Sequence, residues 1–156
     1  MNPRVRHAVP ADAPAIRALL RVLAPTLVPD PDDPAAAPFL ESLSEAAVAE
    51  RLAAPNYLHL VADRDGDLCG YIATRDGSHL FHFFVRPGLQ RQGIGRLLWR
   101  KLLQVRPGPY TVNSSLAAVR FYLELGFVPA GEPQRLRCPP CLPMRYAGAR
   151  GTGAKE

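Results

Sequence analysis

The stretch from residue 83 to residue 96 restricts the fold more than any other part of the chain. It reads Phe-Phe-Val-Arg-Pro-Gly-Leu-Gln-Arg-Gln-Gly-Ile-Gly-Arg, so a strand passes through a short loop into a helix whose first turn holds Gly93 and Gly95. A helix N-terminus leaves backbone N–H groups unpaired and carries partial positive charge, and glycines let an anion approach those groups closely. Three arginines add formal charge nearby: Arg91, Arg96 and Arg100. The stretch therefore predicts a turn suited to a pyrophosphate, the alternative being a helix that merely begins with glycines.

Two other glycine-loop motifs do not fit this turn. A Walker loop running from Gly88 to Gly93 requires Lys and then Ser or Thr directly afterwards, where the chain has Ile-Gly. A dinucleotide fingerprint requires a third small residue where Leu98 stands. It also requires an acidic residue further along, and the chain has none between Asp76 and Glu124. Both motifs are therefore excluded.

Hydrophobic periodicity and turn residues predict one mixed α/β domain over residues 1–147. The predicted strands cover residues 4–9, 57–62, 68–73, 79–85, 110–113, 127–130 and 142–146. The predicted helices run from residue 10 to Pro25 and over residues 42–53, 93–105 and 115–125. Asp-Gly turns between the second, third and fourth strands predict an antiparallel meander. Residues 26–39, rich in proline and aspartate, predict a loop, and residues 148–156 predict a disordered tail.

Charge is distributed unevenly along the chain. Residues 1–78 hold 7 Lys/Arg and 11 Asp/Glu, whereas residues 79–156 hold 12 Lys/Arg and 3 Asp/Glu. A basic C-terminal half indicates either an anionic ligand or a solvated arginine-rich surface. The arginines cluster around the glycine turn and no nucleic-acid-binding motif is present, so we expect no nucleic-acid partner.

Three cysteines, Cys69, Cys138 and Cys141, are too few for a disulfide scaffold and fit a reducing compartment. The Cys138-Pro-Pro-Cys141 segment lacks the further ligands that zinc needs, so we interpret it as a hairpin connection and expect no metal. No apolar run approaches the ~18 residues of a membrane helix, and the first twenty residues do not resemble a secretory leader. We therefore expect a cytoplasmic protein without a membrane partner.

A second block follows some twenty residues after the glycine turn. From Asn113 to Phe127 it reads Asn-Ser-Ser-Leu-Ala-Ala-Val-Arg-Phe-Tyr-Leu-Glu-Leu-Gly-Phe. Together with the pattern Gln90-x-x-Gly93-x-Gly95, this block resembles the two signature blocks of the GNAT (GCN5-related) N-acetyltransferases in composition, order and spacing. The order of strands and helices around both blocks is similar to that family as well, so the resemblance covers most of the chain.

The resemblance implies a fold and a cofactor. The fold is a central, mostly antiparallel mixed sheet flanked by helices, with a splay between the fourth and fifth strands, and the cofactor is acetyl-CoA as acyl donor. The pantetheine arm would lie along the backbone of Phe83, Phe84 and Val85, and Asn113 would bond it further along. The pyrophosphate would be held by the glycine turn, whose residues are Gln90, Arg91, Gln92, Gly93, Ile94, Gly95 and Arg96.

The resemblance also suggests candidates for catalysis of direct acetyl transfer in a ternary complex. Tyr122 would face the sulfur and act as general acid, although a core tyrosine is the structural alternative. The general base is left open between His79 and His82, which strand alternation puts on opposite faces. The related histone acetyltransferases carry a glutamate on this strand, and its absence here leaves the base in doubt. Either histidine could instead be structural.

The acceptor is expected to be a primary amine of a small molecule or peptide. The acidic loop containing Asp30, Asp32 and Asp33 could attract a cationic amine, or could simply be solvated. A non-catalytic acyl-CoA-binding or regulatory module is the competing function. The sequence leaves open whether the chain acts alone or as a homodimer.

Overall fold

A computed structural model describes residues 2–137 and 139–148 of the chain. Within these ranges the strands form a seven-stranded sheet in the order β1-β2-β3-β4-β5-β7-β6. The strands are β1 (Arg4–His7), β2 (Tyr57–Arg64), β3 (Asp67–Arg75), β4 (His79–Val85), β5 (Tyr110–Ser115), β6 (Val128–Pro129) and β7 (Cys141–Tyr146). Neighbouring strands are antiparallel except β4 and β5, which run parallel. The predicted fold class is confirmed, including the central meander.

The α-helices are α1 (Ala13–Leu27), α2 (Ala37–Glu41), α3 (Glu45–Ala53), α4 (Ile94–Val105) and α5 (Val119–Leu125). Side chains of α4 and α5 share one buried cluster with residues of the sheet, among them Ile72 and Leu80. Side chains of α1 and α3 share a second buried cluster with Tyr71 and Ala73. Because alternate residues of a strand point to opposite faces, the helices cover the sheet on both sides. We call the two sides the α4/α5 face and the α1/α3 face.

The segment before β2 contains more helix than its composition suggests. Helix α1 continues through Pro25 to Leu27, and the short helix α2 begins at Ala37, inside the predicted loop. Proline removes one backbone donor without forcing a chain to end its helix in the final turn. The next helix begins at Glu45, where the Ser44 hydroxyl accepts a hydrogen bond from the Ala47 N–H at 3.1 Å. Ser44 is thus the N-cap of α3.

Glycine is required where α4 lies against the sheet. A Cβ added at Gly70 on β3 would lie 2.9 Å from Leu98 Cδ1 and 3.1 Å from the Phe84 carbonyl oxygen. Since real Cβ atoms do not come so close, the missing side chain lets α4 pack directly on β3. This packing positions the N-terminus of α4 beside the end of β4. No helix in the described residues is long and apolar enough to cross a membrane.

Candidate functional site

The loop between β4 and α4 turns through a series of left-handed backbone conformations. Gly88 has φ of 90°, Arg91 has 67° and Gly93 has 84°. Gly93 is the N-cap of α4, and its carbonyl accepts a hydrogen bond from the Leu97 N–H at 3.0 Å. A Cβ at Gly93 would meet nothing within 4 Å, so the space above this backbone is open. The first N–H groups of a twelve-residue helix therefore border a space that an anion can enter.

The two signature glycines have different roles. Gly95 is buried, and a Cβ there would lie 3.0 Å from Phe121 Cζ and 3.7 Å from Val85 Cγ2. Its missing side chain therefore lets α4 approach α5 and β4, whereas Gly93 leaves the backbone open to a ligand. The sequence predicts that both glycines admit an anion, but only Gly93 has open space above its backbone, whereas Gly95 is enclosed by packing.

Polar side chains of the glycine turn are exposed. Arg91, Gln92 and Arg96 all reach solvent, and Arg96 forms a 3.4 Å salt bridge with Glu124 of α5. Gln90 Nε2 donates a hydrogen bond to the Val85 carbonyl at 3.2 Å, which ties the loop to the end of β4. Ile94 is buried in the cluster of the α4/α5 face and anchors the helix start.

The sheet opens between β4 and β5. Their parallel pairing joins His79 to Thr111 and Leu80 to Val112. Further along β4, from residue 82 to residue 85, pairing within the described residues is with β3 on the other side. The predicted pantetheine segment, Phe83–Val85, lies in the part of β4 that does not pair with β5, and it is partly buried. Asn113 lies across the gap on β5, where it pairs with Pro143 of β7 and is exposed.

Tyr122 lies on α5 and its side chain packs against β4. It is 5% exposed, and its ring contacts Phe83, Phe121 and Phe127 edge-on at centroid distances of 6.0, 5.7 and 5.2 Å. Burial raises the pKa of the phenol well above its usual range, so the hydroxyl keeps its proton at neutral pH. This hydroxyl forms no hydrogen bond with another described residue, which leaves its donor available.

The two candidate histidines lie on the same face of β4, contrary to the sequence prediction. His79 pairs with Arg75 and His82 with Ala73, two residues apart on β3. Phe81 is an extra residue in β4, since Ala73 pairs with His82 but the next residue of β3 pairs with Leu80. This β-bulge reverses the alternation, so both histidines face α1 and α3.

The surroundings of the two histidines differ. His79 is partly buried, and its Nδ1 lies 2.8 Å from the Thr111 hydroxyl oxygen. Burial lowers its pKa, with Arg75 acting in the same direction and Asp76 in the opposite one. His82 is 5% exposed, and its buried Nδ1 has no partner among the described residues. Burial, Arg51 and His59 lower the pKa of His82 to about 3, so this ring stays neutral at pH 7.

Residues that the sequence did not single out surround His82. The His59 Nε2 atom lies 3.0 Å from the Arg51 carbonyl, and Nδ1 lies 2.6 Å from the Tyr71 hydroxyl. A carbonyl only accepts, so Nε2 carries the proton and Nδ1 accepts from Tyr71. Arg51 and His59 lie on different elements, and no spacing in the sequence relates them. Their proximity therefore could not be predicted.

Two carboxylates of the acidic loop already accept hydrogen bonds from backbone N–H groups of the same segment. Asp30 Oδ1 accepts from the Asp32 N–H, and Asp33 Oδ1 accepts from the Ala35 N–H, both at 3.0 Å. All three aspartates are exposed. That these carboxylates attract a cationic amine stays a prediction.

Cys141 begins β7 and is buried, whereas Cys138 and residues 149–156 lie outside the described residues. The predictions for the Cys-Pro-Pro-Cys segment and for the tail therefore stay predictions. Groups of three or more histidine, cysteine or acidic side chains that could hold a metal are absent from the part of the chain that the structure describes.

A family model described as an acetyltransferase (GNAT) domain matches residues 27–147. Among curated protein sequences none matches the chain. Solved structures with the same fold include the GCN5-related N-acetyltransferase from Rhodopseudomonas palustris, which is 21% identical with a TM-score of 0.75. That match covers 94% of this chain and 96% of the other.

Two further solved structures resemble the chain. The PaiA N-acetyltransferase from Thermoplasma acidophilum, in complex with coenzyme A, is 15% identical with a TM-score of 0.77, covering 94% of this chain and 99% of that one. The apo form of YjaB from Escherichia coli is 26% identical with a TM-score of 0.65, covering 96% and 100%. The matched lengths agree with the extent of the resemblance seen in the sequence.

Proposed function

The chain belongs to the GNAT acetyltransferase family, and from this premise we propose that it transfers the acetyl group of acetyl-CoA to a primary amine of a small molecule or peptide. The observation that carries the proposal is the opening between β4 and β5 beside the open N-terminus of α4. A strand edge offers hydrogen bonds to an extended amide-bearing arm, and the helix start offers them to a pyrophosphate. The two features are adjacent because the glycine turn joins them.

The pantetheine arm would extend along Phe83, Phe84 and Val85 as an additional strand between β4 and β5. Its amides would pair with backbone groups that face the gap, and Asn113 on the opposite strand would contact it from the other side. The pyrophosphate would lie over Gly93, with the exposed Arg91 and the turn's backbone N–H groups around it. The coenzyme A complex of the Thermoplasma protein supports this choice of donor.

The chemistry is a direct transfer. The lone pair of the neutral amine attacks the thioester carbonyl carbon, a C–N bond forms, and the C–S bond then breaks. The departing thiolate takes the proton of the Tyr122 hydroxyl, and the new amide nitrogen gives up a proton to the base or to water. Solvent then accepts the proton from the base and returns one to the Tyr122 phenolate. A backbone N–H in the Phe83–Val85 segment would stabilise the developing oxyanion. Holding both reactants in the gap supplies much of the acceleration.

His79 fits the base role better than His82. A conjugate acid with a pKa of about 3 cannot hold a proton taken from an amine at neutral pH, and this is the value that burial gives His82. His79 is less deeply buried and keeps a hydrogen bond to Thr111 that fixes its ring. It lies at the paired end of β4, so a water molecule would carry the proton from the amine to it.

The decisive experiment is thermal unfolding of the purified protein with acetyl-CoA, CoA, NAD or ATP. A ligand at ~100 times its Kd adds about 2.7 kcal/mol to the free energy of unfolding and raises Tm by several degrees. We expect a shift with acetyl-CoA and CoA alone, followed by amine-dependent release of CoA in an acceptor screen. A shift without turnover of any amine would favour the non-catalytic acyl-CoA-binding module, and no shift would overturn the proposal.

A further inference from the structure

Two arginines and three aromatic side chains meet on the α1/α3 face, beside the point where the pairing of β4 with β5 ends. We call them the Arg51–Arg75 cluster; its members are Arg51, Tyr57, Arg75, Phe81 and His82. The guanidinium carbons of Arg51 and Arg75 lie 5.0 and 5.4 Å from the centre of the Phe81 ring. The Phe81 and His82 rings are stacked 4.5 Å apart, and Tyr57 meets Phe81 edge-on at 5.5 Å.

Arg51 lacks a carboxylate partner. The residue is 9% exposed, and Nη2 donates a hydrogen bond to the Ser42 carbonyl at 2.7 Å. Its Nε is buried without a partner, and no salt bridge involves Arg51 in residues 2–137 and 139–148. Glu50, the adjacent residue, raises the pKa of Arg51 only weakly, and burial outweighs it. A guanidinium with this burial is costly unless a further acceptor completes it.

A second buried polar atom in the cluster also has no partner. His82 Nδ1 is buried and unpaired in the described part of the chain, and the ring lies between Phe81 and Phe84. Arg75 contributes a second guanidinium, which is partly exposed and whose one salt bridge within residues 2–137 and 139–148 is to Asp76 at 3.7 Å. The cluster thus presents donors and positive charge with one weakly placed carboxylate.

The bulge at Phe81 relates this cluster to the reaction. Phe83, predicted to contact the pantetheine, packs against Phe121 and Tyr122 on the α4/α5 face. Phe81 and His82 precede it by one or two residues but face α1 and α3. An acceptor that reaches the same stretch of β4 from the α1/α3 face would therefore bring its amine to the gap while its remaining atoms lie against the cluster.

We propose that the acceptor carries a carboxylate or phosphate besides its amine, and that Arg51 and Arg75 bind this anion. The proposal rests on the proposed function and names the substrate class of that site. The planar guanidinium of Arg51 offers its free donors to two oxygens at once, and Arg75 closes the anion from the exposed side. An anion there offsets the positive charge of two guanidiniums that lie around one ring.

The test compares acceptors in matched pairs that differ by the anion. The pairs are phenylalanine and phenethylamine, γ-aminobutyrate and butylamine, and phosphoethanolamine and ethanolamine; the phosphate pair distinguishes the two anion types. Release of CoA gives kcat/KM for each. We expect an anionic member to exceed its neutral partner by at least tenfold, and Arg51→Met to remove most of that preference. Equal rates within every pair would overturn the proposal.

Control variants separate substrate binding from a structural role. Arg51→Lys keeps the charge without the planar fork and should recover part of the preference. Arg4→Gln removes an exposed arginine on β1 and should leave the preference unchanged. We expect Arg51→Met to retain the Tm of the ligand-free protein and its shift with CoA, because removal of a buried charge offsets loss of the Ser42 hydrogen bond. A lower Tm together with an equal loss of kcat/KM for neutral and anionic amines would indicate that Arg51 only holds Ser42 in place. That result would overturn the proposal.

Binding decides the question if no amine in the panel is turned over. Thermal unfolding with CoA plus each amine should show greater protection by the anionic member, dependent on Arg51. Acetyl-CoA failing to bind would overturn the proposed function, whereas an anion effect on Tm that requires Arg51 would survive that failure. Absence of any such effect in a protein that does bind acetyl-CoA would overturn the anion site alone.

Discussion

The ring of Phe83 on β4 meets the ring of Tyr122 on α5 edge-on, with centroids 6.0 Å apart. This contact joins the strand that is expected to carry the pantetheine to the helix that carries the proposed acid. The hydroxyl of Tyr122 is at the end of a ring held by three aromatic neighbours, so its direction is fixed by packing.

Replacing Tyr122 with Phe tests the acid directly. The ring contacts remain, and the lost hydroxyl forms no hydrogen bond in the described residues, so the free energy of unfolding should change by less than about 1 kcal/mol. Acetylation kcat should fall about 100-fold, as general acid catalysis is typically worth 10²–10⁴-fold. Steady-state kinetics and CoA-induced thermal shifts measure both. An unchanged kcat would show that Tyr122 is only a core residue.

Gly93→Ala should weaken acetyl-CoA binding through the open backbone at the start of α4. A Cβ at φ of 84° costs roughly 1 kcal/mol of stability and places a methyl group in the space proposed for the pyrophosphate. Gly66→Ala is the matched control, because Gly66 has φ of 92°, similar open space and a position in the β2–β3 turn. Calorimetry should show reduced CoA affinity for Gly93→Ala alone. Equal affinity in both variants would remove the pyrophosphate from this turn.

Gly70→Ala should destabilise the junction of β3 and α4. The added methyl group would lie 2.9 Å from Leu98 and 3.1 Å from a backbone oxygen, so we expect a loss of about 1–3 kcal/mol by urea unfolding. Gly131→Ala is the control, since its Cβ would meet Pro143 at an ordinary 3.6 Å. Similar stability of the two variants would mean that α4 can shift without cost.

Asp12 should contribute stability that disappears in acid. Arg6 donates to both of its carboxylate oxygens at 2.9 and 3.0 Å, and this hydrogen-bonded pair is the main cause that lowers the pKa of Asp12. A lowered folded pKa gives stability that is present above the unfolded value of ~3.9 and is lost as pH falls through the folded value. Asp12→Asn should therefore cost about 1–2 kcal/mol at pH 7, and the cost should decrease once the pH falls below the unfolded pKa.

Urea unfolding at pH 7 and pH 3 measures this difference. Asp67→Asn, which alters an exposed carboxylate at the start of β3, should cost little at either pH. A deficit for Asp12→Asn that stays constant between pH 7 and pH 3 would contradict the linkage.

His82 should make the protein less stable at mildly acidic pH. Its folded pKa is about 3, far below the unfolded value of ~6.5, so the unfolded chain binds more protons between these values. Stability attributable to this residue is full above pH 6.5 and declines as pH falls toward 3. Replacement by Phe, which keeps a ring among aromatic neighbours, should flatten this slope. Unfolding free energies of both proteins at pH 5 and pH 8 provide the measurement, and parallel pH curves would refute it.

The sequence predicted the central meander and the glycine turn because both depend on local patterns. Asp-Gly turns mark the meander, and the two signature blocks fix the positions of α4 and α5. The face of His82 was predicted wrongly because a single bulge residue, Phe81, reverses alternation and leaves no mark in the sequence. The environment of Arg51 was not predictable for a different reason: its neighbours come from the segment before α3 and from β2, β3 and β4, which only the tertiary fold brings together.

The short pairing between β4 and β5 is a mechanically weak part of the sheet. Two residue pairs, His79 with Thr111 and Leu80 with Val112, join a four-stranded part of the sheet to a three-stranded part. Under tension or heat the four-stranded and three-stranded parts should separate there before the ladders β1–β2, β2–β3, β3–β4 and β5–β7 fail, because fewer residue pairs cross that line. A donor bound in this gap, as proposed, would bridge the two parts. Its binding would then hold the two parts of the sheet together.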